Sequence, residues 1–221
     1  MTRGRKFVLA GIAAMPWIFF WMIFLDLLRP RYSYLHKAVS ELGALGAPHG
    51  VWMDVCGFGI TGLLLLAFAV GYRAILKERA HGWILLLVTA LLFVGTATPL
   101  TMTLGANPNP DLSTTLTRTH LFFAVSAPVV WLLGLFSIIF RRAPKPLKWL
   151  SMGILVAIGC LFLAVALGAF SSSPGLVQRI IFSLFFSWYM LAAVFLLRMK
   201  KSGAQQVAAA DRHPATRAAG G

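Results

Sequence analysis

Residues 7–28 read FVLAGIAAMPWIFFWMIFLDLL, an apolar run with a single ionisable side chain, Asp26, near its end. A hydrocarbon core about 30 Å thick is crossed by about 20 residues at about 1.5 Å rise each, so this run is long enough to span it as a helix. It is too long for the apolar part of a secretory signal, and no small-residue cleavage site of the A-x-A kind follows, so it is expected to remain as a first transmembrane span. Further runs that meet the same requirement lie at roughly 51–74, 82–104, 119–140, 149–170 and 175–197. A mean hydropathy of +0.81 with only 12% charged residues excludes a water-soluble domain of 221 residues. Alternating strands of the barrel type are absent, and lipid leaves no backbone group unpaired without cost. The expected fold is therefore all-α, a polytopic membrane protein built as a six-transmembrane-helix bundle.

The basic residues orient the bundle. Of the 20 Lys and Arg residues, only Arg29, Arg31, Lys37, Arg118 and Arg179 fall on the side reached after the first span; the others flank the opposite side. The positive-inside rule then places both termini in the cytoplasm and the 32–50 segment outside a bacterial plasma (inner) membrane. The net charge of +14 reads as this topology signal and as attraction to anionic lipid, so membrane lipids are the expected partners and nucleic acid is not. No internal repeat divides residues 1–201, which form one transmembrane domain. Residues 202–221, SGAQQVAAADRHPATRAAGG, are too small and polar to bury an apolar surface, so a disordered basic cytoplasmic tail is expected there.

Within the spans, Gly57 with Thr61 and Gly153 with Ala157 give small-xxx-small spacings that allow close helix packing. Pro16, Pro99 and Pro128 are expected inside the first, third and fourth helices, where a lost backbone bond and a kink open space. Cys56 and Cys160 form no disulfide framework and are expected to be buried thiols.

The first outer loop, YSYLHKAVSELGALGAPHG at 32–50, differs in composition from the apolar runs on either side of it. With Asp26, Arg29, Asp54, Arg118, His120, Gln178 and Arg179 it gathers at one membrane face nearly all the ionisable residues that are not cytoplasmic flanks. Charges at membrane depth are costly and usually face a bundle interior or wet cavity, so this face is a candidate site. Each member also has a structural reading. Asp54 suits the positive end of its helix dipole, Ser40 with Glu41 suits the cap of a short helix, and Arg29, Arg31 and Arg118 suit headgroup anchors. His120 at a helix start suits an interfacial polar contact. Arg179 is harder to place this way. Ser173 and Pro174 read as N-cap and first residue of the sixth helix, which puts a cation at the helix's positive end and calls for an anionic partner: Asp54, Glu41, Asp26 or a ligand phosphate.

The strings YSYLHKAVSELGALGAP after the first span, GFGITGLLLLAFAVGYR in the second, RTH opening the fourth and GLVQRI opening the sixth resemble the bacterial membrane family catalogued as domain of unknown function 998, over about residues 10–197. More distantly, SELGA is similar to a segment of the Frag1/DRAM/Sfk1 family of six-helix membrane proteins, some linked to lipid remodelling or asymmetry. The first resemblance implies a fold and a set of marked positions, Ser40, Glu41, Gly43, His120 and Arg179, and implies no reaction.

Three functions are compatible with these residues. In the leading one, an outer-leaflet pocket binds an anionic lipid or prenyl-phosphate headgroup: Arg118, His120 and Arg179 hold the anion, Glu41 and Asp54 orient them, and the glycine-rich loop acts as a lid or re-entrant cover. In the second, Ser40, His120 and Asp54 or Glu41 act as nucleophile, base and orienter of an intramembrane hydrolase or acyl transferase, or His36, His49 and His120 hold a metal. No sequence motif of either chemistry is present, and no cofactor is expected. The third is a proton-coupled small-molecule transporter using Asp54 or Asp26. Haem is discounted, because His81 and His120 fall at opposite ends of the spans.

Overall fold

A computed structural model describes residues 2–29, 32–80, 82–103 and 110–210; Arg31, His81 and residues 211–221, to which expectations above refer, lie outside them. Among the described residues six long helices follow one another: α1 Arg3–Leu27, α2 Gly50–Leu76, α3 Trp83–Gly95, α4 Thr115–Phe140, α5 Lys145–Ala166 and α6 Pro174–Ala210. Five of them, α6 as far as Met199, are long and apolar enough to cross a membrane, and α3 is a shorter apolar helix. This is a multi-pass helical membrane protein. Among the described residues, strand pairing is limited to isolated bridges.

Each helix packs on its sequence neighbours, α6 closes the ring against α1, and α2 also touches α6. The centre is aromatic, with Phe68, Tyr72, Trp131, Phe186, Trp188 and Tyr189 fully buried. Phe68 meets the rings of Tyr189 and Trp188 edge-on at 5.2 and 6.1 Å, an arrangement favoured by the ring quadrupoles. The closest backbone approaches occur at Gly62, where a Cβ would stand 2.7 Å from the Val94 nitrogen, and at Gly71, where it would stand 2.7 Å from that of Val8. Gly153 has open space around it and makes no close approach. Cys160 is exposed on the outer surface of α5, whose buried stripe runs through Ser151, Ile154, Ile158 and Leu161, so the expected burial of this thiol is corrected.

The third helix ends well before the expected 104. Thr96 Oγ1 donates to the Phe93 carbonyl (2.6 Å) and Thr98 Oγ1 to that of Gly95 (2.9 Å), closing the last turn, and Pro99 has no N–H with which to continue. Pro99 therefore follows the helix rather than kinking it. Residues 100–103 are non-helical and are held by protein partners: the Leu45 amide donates to the Leu100 carbonyl (2.7 Å) and the Thr101 amide to Thr117 Oγ1 (3.1 Å). Irregular backbone at this depth is tolerated only when its polar groups are satisfied in this way. A second irregularity is a π-helical segment, Met53–Gly59, near the start of α2. At the far end of the chain the backbone of α6 stays helical through Ala210, into the stretch whose composition predicted no order.

Candidate functional site

The 32–50 segment is bound down at the loop-rich end of the bundle. Arg179 Nη1 donates to the carbonyls of Gly175 (2.9 Å) and Lys37 (3.0 Å), and Nη2 donates to the Tyr32 hydroxyl (3.0 Å). That hydroxyl in turn donates to the Ala38 carbonyl (2.7 Å). Arg29 Nη1 donates to the Glu41 carbonyl (2.8 Å), and both guanidiniums lie over the Tyr32 ring, at 5.6 and 5.7 Å. Burial pushes the Tyr32 phenol above its ordinary pKa, while the neighbouring Arg179 pulls the other way. Glu41 closes the turn on itself, its Oε1 accepting from the Ala38 amide (3.0 Å) and its Oε2 pairing with Lys37 Nζ (3.3 Å).

Helix α6 supplies the rest of this clasp. Gln178 Oε1 accepts from the Val39 amide (2.7 Å), and the Leu176 amide donates to the Leu35 carbonyl (3.1 Å). Gly175 has no room for a side chain, since a Cβ there would stand 2.5, 2.7 and 2.9 Å from the carbonyl oxygens of Lys37, Tyr34 and Leu35. The 3-10 turn Val39–Gly43 is thereby driven into the bundle, with Val39 and Leu42 fully buried. Its residues face different neighbours: Ser40 lines one cavity, Glu41 the clasp, and Gly43 abuts Asp54.

Ser40 and His120 line the same narrow cavity of about 60 Å³, walled by Phe182 and Phe185 and by Pro128 of α4. The kink-prone proline expected there does border open space. His120 is buried; its Nδ1 bonds the Thr98 carbonyl (2.7 Å), and Phe58 meets its ring edge-on at 6.1 Å. The early end of α3 is what makes that carbonyl available. Asp54 belongs to a different cleft of about 490 Å³, bounded by the 43–50 loop, Ala97 and Pro99. It is 6% exposed, and Oδ1 has no hydrogen-bond partner. A Cβ at Gly43 would collide with that same oxygen.

The remaining candidates fall elsewhere. Arg118 is exposed and donates from Nε to the Leu112 carbonyl (2.7 Å); His36 is exposed and bonded to Ser33 (2.7 Å); His49 is exposed at the rim of the Asp54 cleft in the left-handed region (φ 60°). Among the described residues no three His, Cys, Asp or Glu side chains come close enough to hold a metal, so His36, His49 and His120 do not form the metal set considered above. The structure thus separates the expected residues into a clasp (Arg29, Glu41, Arg179), a cavity (Ser40, His120) and a cleft (Asp54). Tyr32 and Gly175 were not singled out by the sequence, although an aromatic three residues past Arg29 and a glycine directly after Pro174 were available signals.

The profile of a family described as protein of unknown function (DUF998) matches residues 12–195. No curated protein and no solved structure matches the chain.

Proposed function

From the premise that the chain belongs to the DUF998 family, we propose that it is a multi-pass membrane protein whose loop-rich end binds a membrane lipid by a headgroup that donates hydrogen bonds, an amine or a hydroxyl. The observation that carries this reading is the unpartnered Oδ1 of Asp54, buried beside a cleft of about 490 Å³. A buried carboxylate oxygen without a donor is costly, and a ligand N–H or O–H would relieve it. Val51 and Val55, on the same turns of α2 and also at the cleft, are more than half exposed, which gives an acyl chain an apolar path from the headgroup to the bilayer. The anionic headgroup expected from the arginines has less support, because Arg29, Arg118 and Arg179 all donate to backbone carbonyls. Nor does the loop have the freedom of a lid, bound as it is by the clasp.

The test is native mass spectrometry of the full chain from nanodiscs containing phosphatidylethanolamine, which carries N–H donors, or phosphatidylcholine, which carries none. Preferential retention of the ethanolamine lipid, lost in Asp54→Asn, is the expected result. Equal retention of both lipids, or an Asp54→Asn protein that still discriminates, would overturn the reading.

A second reading is favoured by the shared cavity of Ser40 and His120. With Nδ1 donating to the Thr98 carbonyl, Nε2 is the nitrogen that would take the proton of a serine hydroxyl. Asp54 is not part of that cavity, so the carbonyl would take the orienting role. Labelling by a fluorophosphonate in the wild type and its loss in Ser40→Ala is expected under this reading, and an unlabelled wild type rules it out. Transport has the weakest support, because the buried aromatic layer of Phe68, Tyr72, Trp188 and Tyr189 lies between the two ends of the bundle.

A further inference from the structure

At the opposite end, where the Lys and Arg residues concentrate, α2, α3 and α4 border an open cavity of about 320 Å³. We propose that this cavity is a second site, distinct from the Asp54 cleft, that binds the phosphate of an anionic lipid headgroup. Arg73 and Lys77 from the end of α2 and Arg141 from the end of α4 line it. No acceptor among the described residues bonds these three side chains, and the only ion pair among those residues, Lys37 with Glu41, is at the other end of the bundle. The sequence of the connecting loop adds Arg79 against a single acid, Glu78. Three exposed cations bordering one cavity raise the local positive potential and favour an anion there.

The geometry suits a phosphate in particular. Arg73 is held in place by stacking over the Trp83 ring at 5.7 Å, so its planar fork is pre-oriented. Helix α3 begins at the cavity with no side-chain cap, its Trp83 amide donating to the Ala80 carbonyl (3.2 Å), and adds the positive end of a helix dipole. Gly82 (φ +79°) lets the loop lie against α4, where a Cβ would stand 2.9 Å from the Gly134 carbonyl. A basic pocket between transmembrane helices is a recurrent form of lipid-phosphate site. Ile84, lining the same cavity and 57% exposed, offers the acyl chain a route to the bilayer.

The probe is phosphatidic acid, whose headgroup is a bare phosphate without amine or glycerol hydroxyls. Full chain in phosphatidylcholine nanodiscs, with and without phosphatidic acid, is read by native mass spectrometry. Phosphatidic acid should be retained over phosphatidylcholine, with retention falling about fivefold in Lys77→Gln and on the order of twentyfold in Arg73→Gln/Arg141→Gln. Arg142→Gln, which removes a cation outside the cavity, should leave it unchanged, and unfolding temperatures check that each variant is folded. Equal loss in Arg142→Gln would mean diffuse surface attraction only and would overturn the site. Unchanged retention in the double variant would overturn it too, and displacement by inorganic phosphate would reassign the cavity to a soluble phosphate.

Discussion

The two ends of the bundle use the same residue types in opposite ways. At the loop-rich end Arg29, Arg118 and Arg179 each donate to backbone carbonyls, whereas at the basic end Arg73, Lys77 and Arg141 line an open cavity with no bonded acceptor among the described residues. The difference comes from the loops. Residues 32–49 are folded into the bundle, and a buried irregular segment leaves carbonyls that must find donors. Arginine, with five N–H groups on a long stem, can satisfy several of them at once. The described parts of the connections there, 77–80 and 141–144, are short, and no acceptor among the described residues bonds the side chains of Arg73, Lys77 or Arg141. A count of basic residues therefore locates a membrane face, and only the surrounding backbone decides whether a given cation is structural or free to bind.

The largest test of that contrast is Arg179→Ala. It removes a charged donor from the Lys37 carbonyl and from the Tyr32 hydroxyl and a cation from the Tyr32 ring, so a loss of about 3 kcal/mol is expected, since hydrogen bonds from a charged group contribute about 1.5–3 kcal/mol each. Thermal unfolding in detergent measures it. A variant melting with the wild type would mean that the clasp is ornamental and that the arginine is free to serve a ligand after all.

A smaller loss is expected from Gly175→Ala. The added methyl meets three carbonyl oxygens of residues 34–37, and overpacking of this kind costs about 1–3 kcal/mol. Since the substitution changes no charge, a lowered unfolding temperature would show that the loop's seat on α6 is steric as well as electrostatic. Faster proteolysis within residues 32–50 should accompany it. Protection equal to that of the wild type would limit the clasp to its arginines.

How much of this could be read beforehand varies with the physics involved. The spans were legible because apolar length is a property of contiguous residues, and so was the concentration of polar groups after the first span. The end of α3 was not, because Thr96 and Thr98 fit a membrane helix as well as they fit a cap, and hydropathy scores both alike. For Arg179 the dipole argument identified a cation in need of a partner, but the partner proved to be a set of carbonyls delivered by a loop 142 residues earlier in the chain. Asp54 was legible as an acid at membrane depth. Its separation from Arg179 was not, because the distance between helices two and six at this end depends on how far the 3-10 turn of the loop is driven between them.

The smallest expected effect completes the comparison. Arg141→Gln, made at the basic end, removes a side chain that bonds nothing among the described residues, and substitutions of that kind usually change stability by less than about 0.5 kcal/mol. If anything the variant should gain, because one of three mutually repelling charges is gone. That gain should vanish when phosphatidic acid is present, because the anion then screens the cations that remain. An unfolding temperature that falls sharply on Arg141→Gln in lipid-free detergent would show a structural bond at the basic end too, and the two ends would differ in loop length alone.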